Sequence, residues 1–168
     1  DTTNPAQVRV LIKGLENIFK EWMPDWLFVH GDTLTTMAAS ISAYYHKIKV
    51  AHVEAGLRSH NKHSPWPEEI NRKIVACIAD LHFAPTENAK KNLLNEGINN
   101  NNIFVTGNTV IDALFHITNK IEQDNLLMEK LSLQFSWLDK SKKLVLITCH
   151  RRENFGEGIN NIIKAIKI

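Results

Sequence analysis

Residues 26–53 read WLFVHGDTLTTMAASISAYYHKIKVAHV, and this stretch decides the fold. A short apolar run over residues 26–29 ends in a polar turn, and a helical pattern of apolar side chains follows over residues 35–46. A second short apolar run then covers residues 49–53. The order is strand, helix, strand, and two strands joined by a helix lie parallel in one sheet.

The same alternation of helical and strand patterns continues before and after this unit. Before it, apolar side chains at helical spacing predict a surface helix from Pro5 to Trp22. After it, the pattern predicts a helix over residues 67–79, a strand over 81–84, a helix from Glu87 and a strand over 103–105. Such alternation predicts an α/β fold in which helices cover a parallel sheet.

The rhythm changes after Gly107, where we place a crossing between domains near Asn108. A long helical pattern covers residues 110–133, followed by a predicted strand over 144–148 and another helix after Gly158. The chain opens on a polar lead-in to a helix and ends within a helical pattern. We therefore expect a segment whose second domain is too short to form a core of its own.

Composition excludes several classes of protein. With 43% hydrophobic and 23% charged residues among 168, the chain can bury a core, and its net charge of +2, without runs of one sign, argues against a nucleic-acid binder. Cys77 and Cys149 are too far apart for a disulfide framework or a paired metal-ligand spacing, and Cys77 is predicted to be buried. No apolar run is long enough to cross a membrane, and no signal peptide is visible, so we expect a cytoplasmic protein.

Two polar clusters follow predicted strands, where α/β sheets bind ligands. The first, residues 30–33, contains Asp32, which either serves a ligand or merely caps the next helix. The second, residues 52–59, places Glu54 at a strand end and Arg58 where it can bind a phosphate or carboxylate bidentately. A structural ion pair between Glu54 and Arg58 is the alternative.

The third cluster, residues 64–72, opens a helix with proline and two acidic residues. Proline and acids are common in a first helical turn, so a structural role for Glu69 is the simpler interpretation. Adjacent carboxylates point in different directions on a helix, and Glu68 can therefore face a pocket while its neighbour serves the helix. Arg72 lies about one turn from both acids.

The fourth cluster, residues 148–158, follows a predicted strand and leads through two glycines into a helix. Its exposed amides, one histidine and two arginines suit an anion such as phosphate. The sequence is neither a Walker motif nor a G-x-G-x-x-G fingerprint, so it indicates neither ATP nor NAD. The remaining histidines are scattered along the chain, and we predict no metal site.

Taken together and in this order, the four clusters resemble the non-hydrolysing UDP-N-acetylglucosamine 2-epimerases. Residues 24–25, 79–86 and 105–112 also read like that family. Within the matched region the departures are small: Leu34 stands where threonine is usual, and Cys149 takes a variable site. Neither change removes a reactive group.

The resemblance implies two Rossmann-like domains that face each other across a cleft, an arrangement shared with glycosyltransferases of the B type. Residues 1–108 would be the later part of the N-terminal domain, and residues 109–168 the crossing helix and the start of the C-terminal one. It further implies a homodimer that needs no cofactor and supplies N-acetylmannosamine to polysaccharide biosynthesis. The substrate would be a UDP-sugar, with neither nucleic acid nor membrane as a partner.

The resemblance also implies the residues of the site. Its catalytic residues would be Asp32, Glu54, Glu68 and His150. Its substrate- and phosphate-binding residues would be Arg58, Arg151, Arg152, Asn154 and Gly156. The two adjacent arginines would hold either the diphosphate or a second UDP-sugar that activates the enzyme, as in some bacterial members.

The expected reaction is epimerisation at C2. The hydrogen on C2 is not next to a carbonyl group, so direct removal of a proton faces a very high barrier. Departure of UDP from C1 makes that hydrogen acidic, and the product of elimination is a 2-acetamidoglycal. The alternatives are a hydrolysing epimerase, a related glycosyltransferase, and a non-catalytic or truncated fragment that binds nucleotide sugars.

Overall fold

The computed structural model describes residues 5–139, 141–148 and 155–166. The elements up to residue 105 follow the predicted alternation of helices and strands. They are α1 (Pro5–Glu21), β1 (Trp26–His30), α2 (Leu34–Tyr45), β2 (Lys49–Val53), α3 (Glu68–Ile78), β3 (Leu81–Ala84), α4 (Glu87–Asn95) and β4 (Ile103–Val105).

The four strands form one parallel sheet in the order β1-β2-β3-β4. Each neighbouring pair is joined by a helix that crosses from one strand to the next, as a parallel arrangement requires. The predicted α/β fold with a parallel sheet is therefore confirmed. Because the strands run in the same direction, their carboxyl ends lie along one edge, and the turns after β1 and β2 are neighbours there.

The core lies between the sheet and its helices and consists of two clusters of buried side chains. One joins α1, α2 and α3 to β1 and β2; the other joins α3 and α4 to β3 and β4. The first contains Phe19, Val29, Ala39, Ala43, Ile48, Val50 and Val75, and the second contains Ala55, Ala76, Ala84, Ala89, Leu93 and Ile103. Alanine predominates in the second cluster, so helix α4 can approach the sheet closely.

The chain divides into two compact units, the first ending at Thr109 and the second beginning at Val110. The described helices of the second unit are α5 (Thr109–Gln123), α6 (Asn125–Gln134) and α7 (Glu157–Ile166). None of their described residues is buried. Their assignment to a second Rossmann-like domain stays a prediction.

Three expectations about individual elements were wrong. The helix predicted over residues 110–133 is two helices, because the side chain of Asp124 accepts a hydrogen bond from the backbone of Leu127 and caps a new helix there. Residues 144–148 are not a strand in this structure, and no partner strand is assigned within the described part of the second unit. Cys77 is exposed, because it lies on the outer side of α3.

Candidate functional site

The candidate site lies at the carboxyl edge of the sheet, where the turns after β1 and β2 meet the start of α3. His30 and Val53, the last residues of the two strands, are paired in register. The backbone N–H of Gly31 donates to the carbonyl of Val53 at 3.0 Å, which ties the two turns together. Asp32 and Glu54 are therefore brought to one place from positions far apart in the sequence.

Asp32 does not cap the helix that follows it. Thr33 does so, because its side chain accepts the backbone N–H of Thr36 at 3.2 Å. The carboxylate of Asp32 instead binds Arg72 on α3, whose Nε and Nη2 donate to Oδ2 at 2.9 and 2.6 Å. Asn71 donates to the backbone carbonyl of Asp32 at 2.8 Å, so α3 holds both the main chain and the side chain of this residue.

Glu54 has a left-handed backbone conformation, with φ of 67°, which is uncommon for a residue with a side chain. Such strain persists where the surrounding structure enforces it and is frequent in functional sites. The carboxylate lies over the turn after β1: a Cβ atom on Gly31 would be 3.3 Å from Oε2 of Glu54. His30, whose side chain is half exposed, places Nε2 at 3.6 Å from the same oxygen.

Glu68 and Asp32 line one cavity of about 290 Å³. Its walls come from α1 and from the amino-terminal ends of α2 and α3, and they combine apolar side chains with hydroxyl, amide and carboxylate groups. The lining residues are Gln7, Leu11, Asp32, Thr33, Leu34, Thr35, Pro67, Glu68 and Asn71. Two of the predicted catalytic residues thus line the same pocket.

Glu69, by contrast, is fully buried and serves the structure. Its carboxylate accepts the backbone N–H groups of Ser59 and His60 at 2.9 and 3.1 Å, and Nη1 of Arg72 lies at 3.2 Å. Burial by itself would raise the pKa of Glu69, but these hydrogen bonds outweigh it and lower the pKa below its ordinary value. Glu69 therefore fastens the loop after β2 to the start of α3.

The side chain of Arg58 is buried and engaged in contacts within the protein. Its side chain is inaccessible to solvent, and its Nε and Nη2 donate to both carboxylate oxygens of Glu96 at 2.8 and 2.6 Å. Its Nη1 donates to the carbonyl of Leu57 at 2.8 Å. Hydrogen bonding to Arg58 lowers the pKa of Glu96. With its donors engaged in this way, Arg58 is better placed to hold the loop after β2 against α4 than to bind a phosphate or to pair with Glu54.

Two buried histidines, His52 on β2 and His82 on β3, are paired in register beneath the site. Burial lowers the pKa of His52 to about 4 and also lowers the pKa of His82, while a backbone hydrogen bond partly opposes the effect in each. Both side chains are therefore neutral at neutral pH.

We expect the free energy of unfolding to fall as the pH is lowered from about 6.5 to about 4. In that interval the unfolded chain binds a proton on His52 and the folded chain does not, so acid favours unfolding. The shift at His52 alone corresponds to about 3 kcal/mol, and His82 acts in the same direction. Urea unfolding at several pH values measures the slope, and a His52→Gln variant should show a shallower one. An unchanged slope in that variant would mean that His52 does not cause the pH dependence.

The remaining predicted residues are placed as follows. Gly156 is described and has a positive φ of 80° in a turn just before α7, a conformation that favours glycine. His150, Arg151, Arg152 and Asn154 lie outside the described residues. Within the described ranges, no group of three or more His, Cys, Asp or Glu side chains is arranged to hold a metal ion, and no helix is long and apolar enough to span a membrane.

Sequence reasoning missed the functions of Asn71 and Arg72, the two residues that hold Asp32. The spacing of Arg72 from the acids of α3 indicated a contact within the helix, and the contact with Glu69 exists. The shorter contact, however, is to a residue 40 positions away in the sequence. No local pattern carries that information.

The chain is similar to known proteins over almost its whole length. Residues 2–168 match the family model described as UDP-N-acetylglucosamine 2-epimerase. The chain is 49% identical over 156 residues to the UDP-N-acetylglucosamine 2-epimerase of Yersinia pestis, covering 93% of this chain. The crystal structure of UDP-GlcNAc 2-epimerase from Neisseria meningitidis bound to UDP-GlcNAc superimposes with a TM-score of 0.90 at 45% identity, covering 95% of this chain.

A second structure, the UDP-GlcNAc 2-epimerase of Methanocaldococcus jannaschii in complex with UDP-GlcNAc and UDP, matches with a TM-score of 0.81 at 40% identity over 95% of this chain. The chain spans less than half the length of each relative: 42% of the Yersinia protein, 44% of the Neisseria chain and 42% of the Methanocaldococcus chain.

Proposed function

Because the chain belongs to the UDP-N-acetylglucosamine 2-epimerase family, we propose that the whole protein, including any residues on either side of this chain, interconverts UDP-N-acetylglucosamine and UDP-N-acetylmannosamine. The observation that carries the proposal is the shared cavity of Asp32 and Glu68, with Glu54 at the adjoining strand end. Carboxylates gathered at the carboxyl edge of a parallel sheet provide the acid and base that inversion at C2 requires.

The reaction begins with elimination. UDP leaves C1 with the electrons of the C–O bond, a carboxylate takes the proton from C2, and the electron pair of that C–H bond forms the double bond between C1 and C2. A proton then returns to the opposite face of C2 and UDP adds again at C1. Both steps need a positioned proton donor or acceptor, and a group that stabilises positive charge at C1 lowers the barrier further.

The contacts suggest different functions for the carboxylates. Oδ2 of Asp32 is held by Arg72, which orients the side chain and leaves Oδ1 to face positive charge developing at the sugar ring. Among the described residues, no hydrogen bond or ion pair fixes the carboxylate of Glu68, so it can exchange a proton with C2. Glu54 lies beside His30 and serves the other face of the ring.

The functions proposed for the residues around His150 follow the family resemblance. His150 would lie beside the departing diphosphate, and Arg151 and Arg152 would bind that diphosphate or an activating second UDP-sugar. Activation predicts a sigmoidal dependence of rate on substrate concentration. A hyperbolic dependence would leave the two arginines as ligands of the diphosphate alone. The proposed cytoplasmic homodimer and the link to polysaccharide biosynthesis rest on the same resemblance.

The test is incubation of the whole protein with UDP-N-acetylglucosamine in deuterated water, followed by proton NMR at C2. We expect deuterium at C2 together with UDP-N-acetylmannosamine, and neither from a His150→Ala control. Free N-acetylmannosamine and UDP would instead indicate a hydrolysing epimerase, and transfer of the sugar to an acceptor would indicate a glycosyltransferase. Binding of UDP without exchange or a new sugar would leave a nucleotide-sugar-binding protein.

A further inference from the structure

His52 lies directly beneath the turn that carries Asp32. Its side chain is completely buried, and its Nε2 is 2.8 Å from the backbone carbonyl of Gly31. The next residue of the same strand, Val53, accepts the N–H of Gly31. Consecutive residues of β2 therefore bind both backbone groups of Gly31.

The direction of this hydrogen bond follows from the chemistry of its partner. A carbonyl oxygen only accepts, so Nε2 of His52 carries the hydrogen and donates it. The ring is neutral at neutral pH because burial disfavours its charged form. Nδ1 is buried and has no hydrogen-bond partner in the described structure, so the bond to Gly31 accounts for the polar contacts of this side chain.

Gly31 is the point at which two of the proposed catalytic residues meet. It precedes Asp32 in the chain, and the carboxylate of Glu54 lies against it. Asn71 and Arg72 bind Asp32 itself from α3, whereas His52 binds the residue before it. The bonds to His52 and Val53 hold Gly31 from β2, and loss of the His52 bond would let the turn move relative to Glu54.

We propose that His52 is a positioning residue, which holds the turn after β1 so that Asp32 and Glu54 keep the spacing that turnover requires. This inference rests on the proposed function. His52 does not reach the substrate; it acts through Gly31. Displacement of reacting groups by about 1 Å lowers turnover by about 10²-fold, and that is the effect expected from loss of the anchor.

The chain supplies a matched control in His82. It is paired with His52 in register on the neighbouring strand, is also buried, and also has a lowered pKa. The backbone group that raises its pKa, however, is that of Ala79, which precedes the amino end of β3 and so lies at the end of the strand away from the site. Replacing either histidine removes a buried ring, but of the two only His52 is hydrogen-bonded to the site turn.

The experiment compares His52→Leu, His52→Gln, His82→Leu and His82→Gln in the whole protein. We expect His52→Leu to lower kcat by about 10²-fold with little change in KM. His52→Gln should recover most of the loss, because glutamine places an N–H donor the same number of bonds from the backbone as Nε2 of histidine. His82→Leu should retain kcat, although it should lose about as much stability as His52→Leu.

Hydrogen exchange of the backbone amides of residues 31–33 provides a readout that does not depend on activity. It should accelerate in His52→Leu more than in His82→Leu. Equal losses of kcat in the two leucine variants, absence of rescue by glutamine, or equal exchange would each overturn the inference. A wild-type protein without epimerase activity would refute the proposed function, and the exchange comparison would still decide whether His52 holds the turn.

Discussion

Replacing Glu68 with glutamine should lower kcat of the whole protein by about 10³-fold and leave its stability nearly unchanged. Glu68 is half-buried, lines the cavity next to Asp32, and is bound by no other described residue. Glutamine has almost the same shape but cannot accept or release a proton at the pH of the reaction. The change therefore removes proton transfer and keeps the fold.

Glu69 is the matched control, since it is the next residue of the same helix and carries the same functional group. Its carboxylate is buried and accepts two backbone N–H groups and one guanidinium N–H. In Glu69→Gln an amide nitrogen faces one of those donors, and Arg72 loses part of its counter-charge. Breaking a buried charged network costs about 3 kcal/mol, so the main effect of this substitution should be a loss of stability.

The measurements are steady-state kinetics with UDP-N-acetylglucosamine and urea unfolding of both variants. The expected pattern is opposite in the two proteins: lost turnover with normal stability for Glu68→Gln, and lost stability for Glu69→Gln. Normal turnover in Glu68→Gln would exclude Glu68 as the proton-transfer group and direct attention to Glu54. A stable, inactive Glu69→Gln would mean that the structural assignment of Glu69 is wrong.

Much of the fold follows from local pattern. The strand over residues 49–53 has the predicted limits, and β1 extends the predicted run by one residue, because a short run of strand-forming residues bounded by polar turns is a local signal. The limits of α5 and α6 could not be predicted from the local pattern. Asp124 interrupts an apolar pattern that continues on both sides, and only its capping hydrogen bond shows that the helix ends there.

The candidate site was predictable in part, for the same physical reason. Strand ends and helix starts are local features, so the pattern located Asp32, Glu54 and Glu68. The partners of these residues are set by tertiary packing. Arg58 illustrates the difference: its sequence context suits a phosphate ligand, whereas the fold places it against Glu96, 38 residues away.

Replacing Gly56 with alanine should lower the free energy of unfolding by about 4 kcal/mol, the sum of left-handed strain and overpacking. Gly56 has φ of +86°, and a Cβ atom there would be 2.3 Å from the backbone carbonyl oxygen of Ala89 and 3.0 Å from a methyl group of Leu93. The backbone atoms of α4 cannot rotate away from the clash, as a flexible side chain can. Asn92 also donates to the carbonyl of Gly56 at 2.9 Å, which fixes the helix to this loop.

Gly97→Ala is the control that separates the cost of a left-handed backbone from the cost of a steric clash. Gly97 has a nearly identical φ of +85°, but nothing lies within 4 Å of the position that a Cβ atom would take. This variant should lose only about 1 kcal/mol, the cost of a left-handed conformation. Urea unfolding of the two variants under identical conditions gives the difference directly.

A larger loss of stability in Gly56→Ala than in Gly97→Ala would show that α4 is held rigidly against the loop after β2. This loop, with Glu54 at its start, then cannot move away from the helix. Equal losses in the two variants would show the reverse. Helix α4 would then move outward at little cost, and the close approach at Gly56 would not fix the loop. The position of Glu54 would depend on its contacts with the turn after β1 and on the hydrogen bond from the N–H of Ala55 to the carbonyl of Phe83.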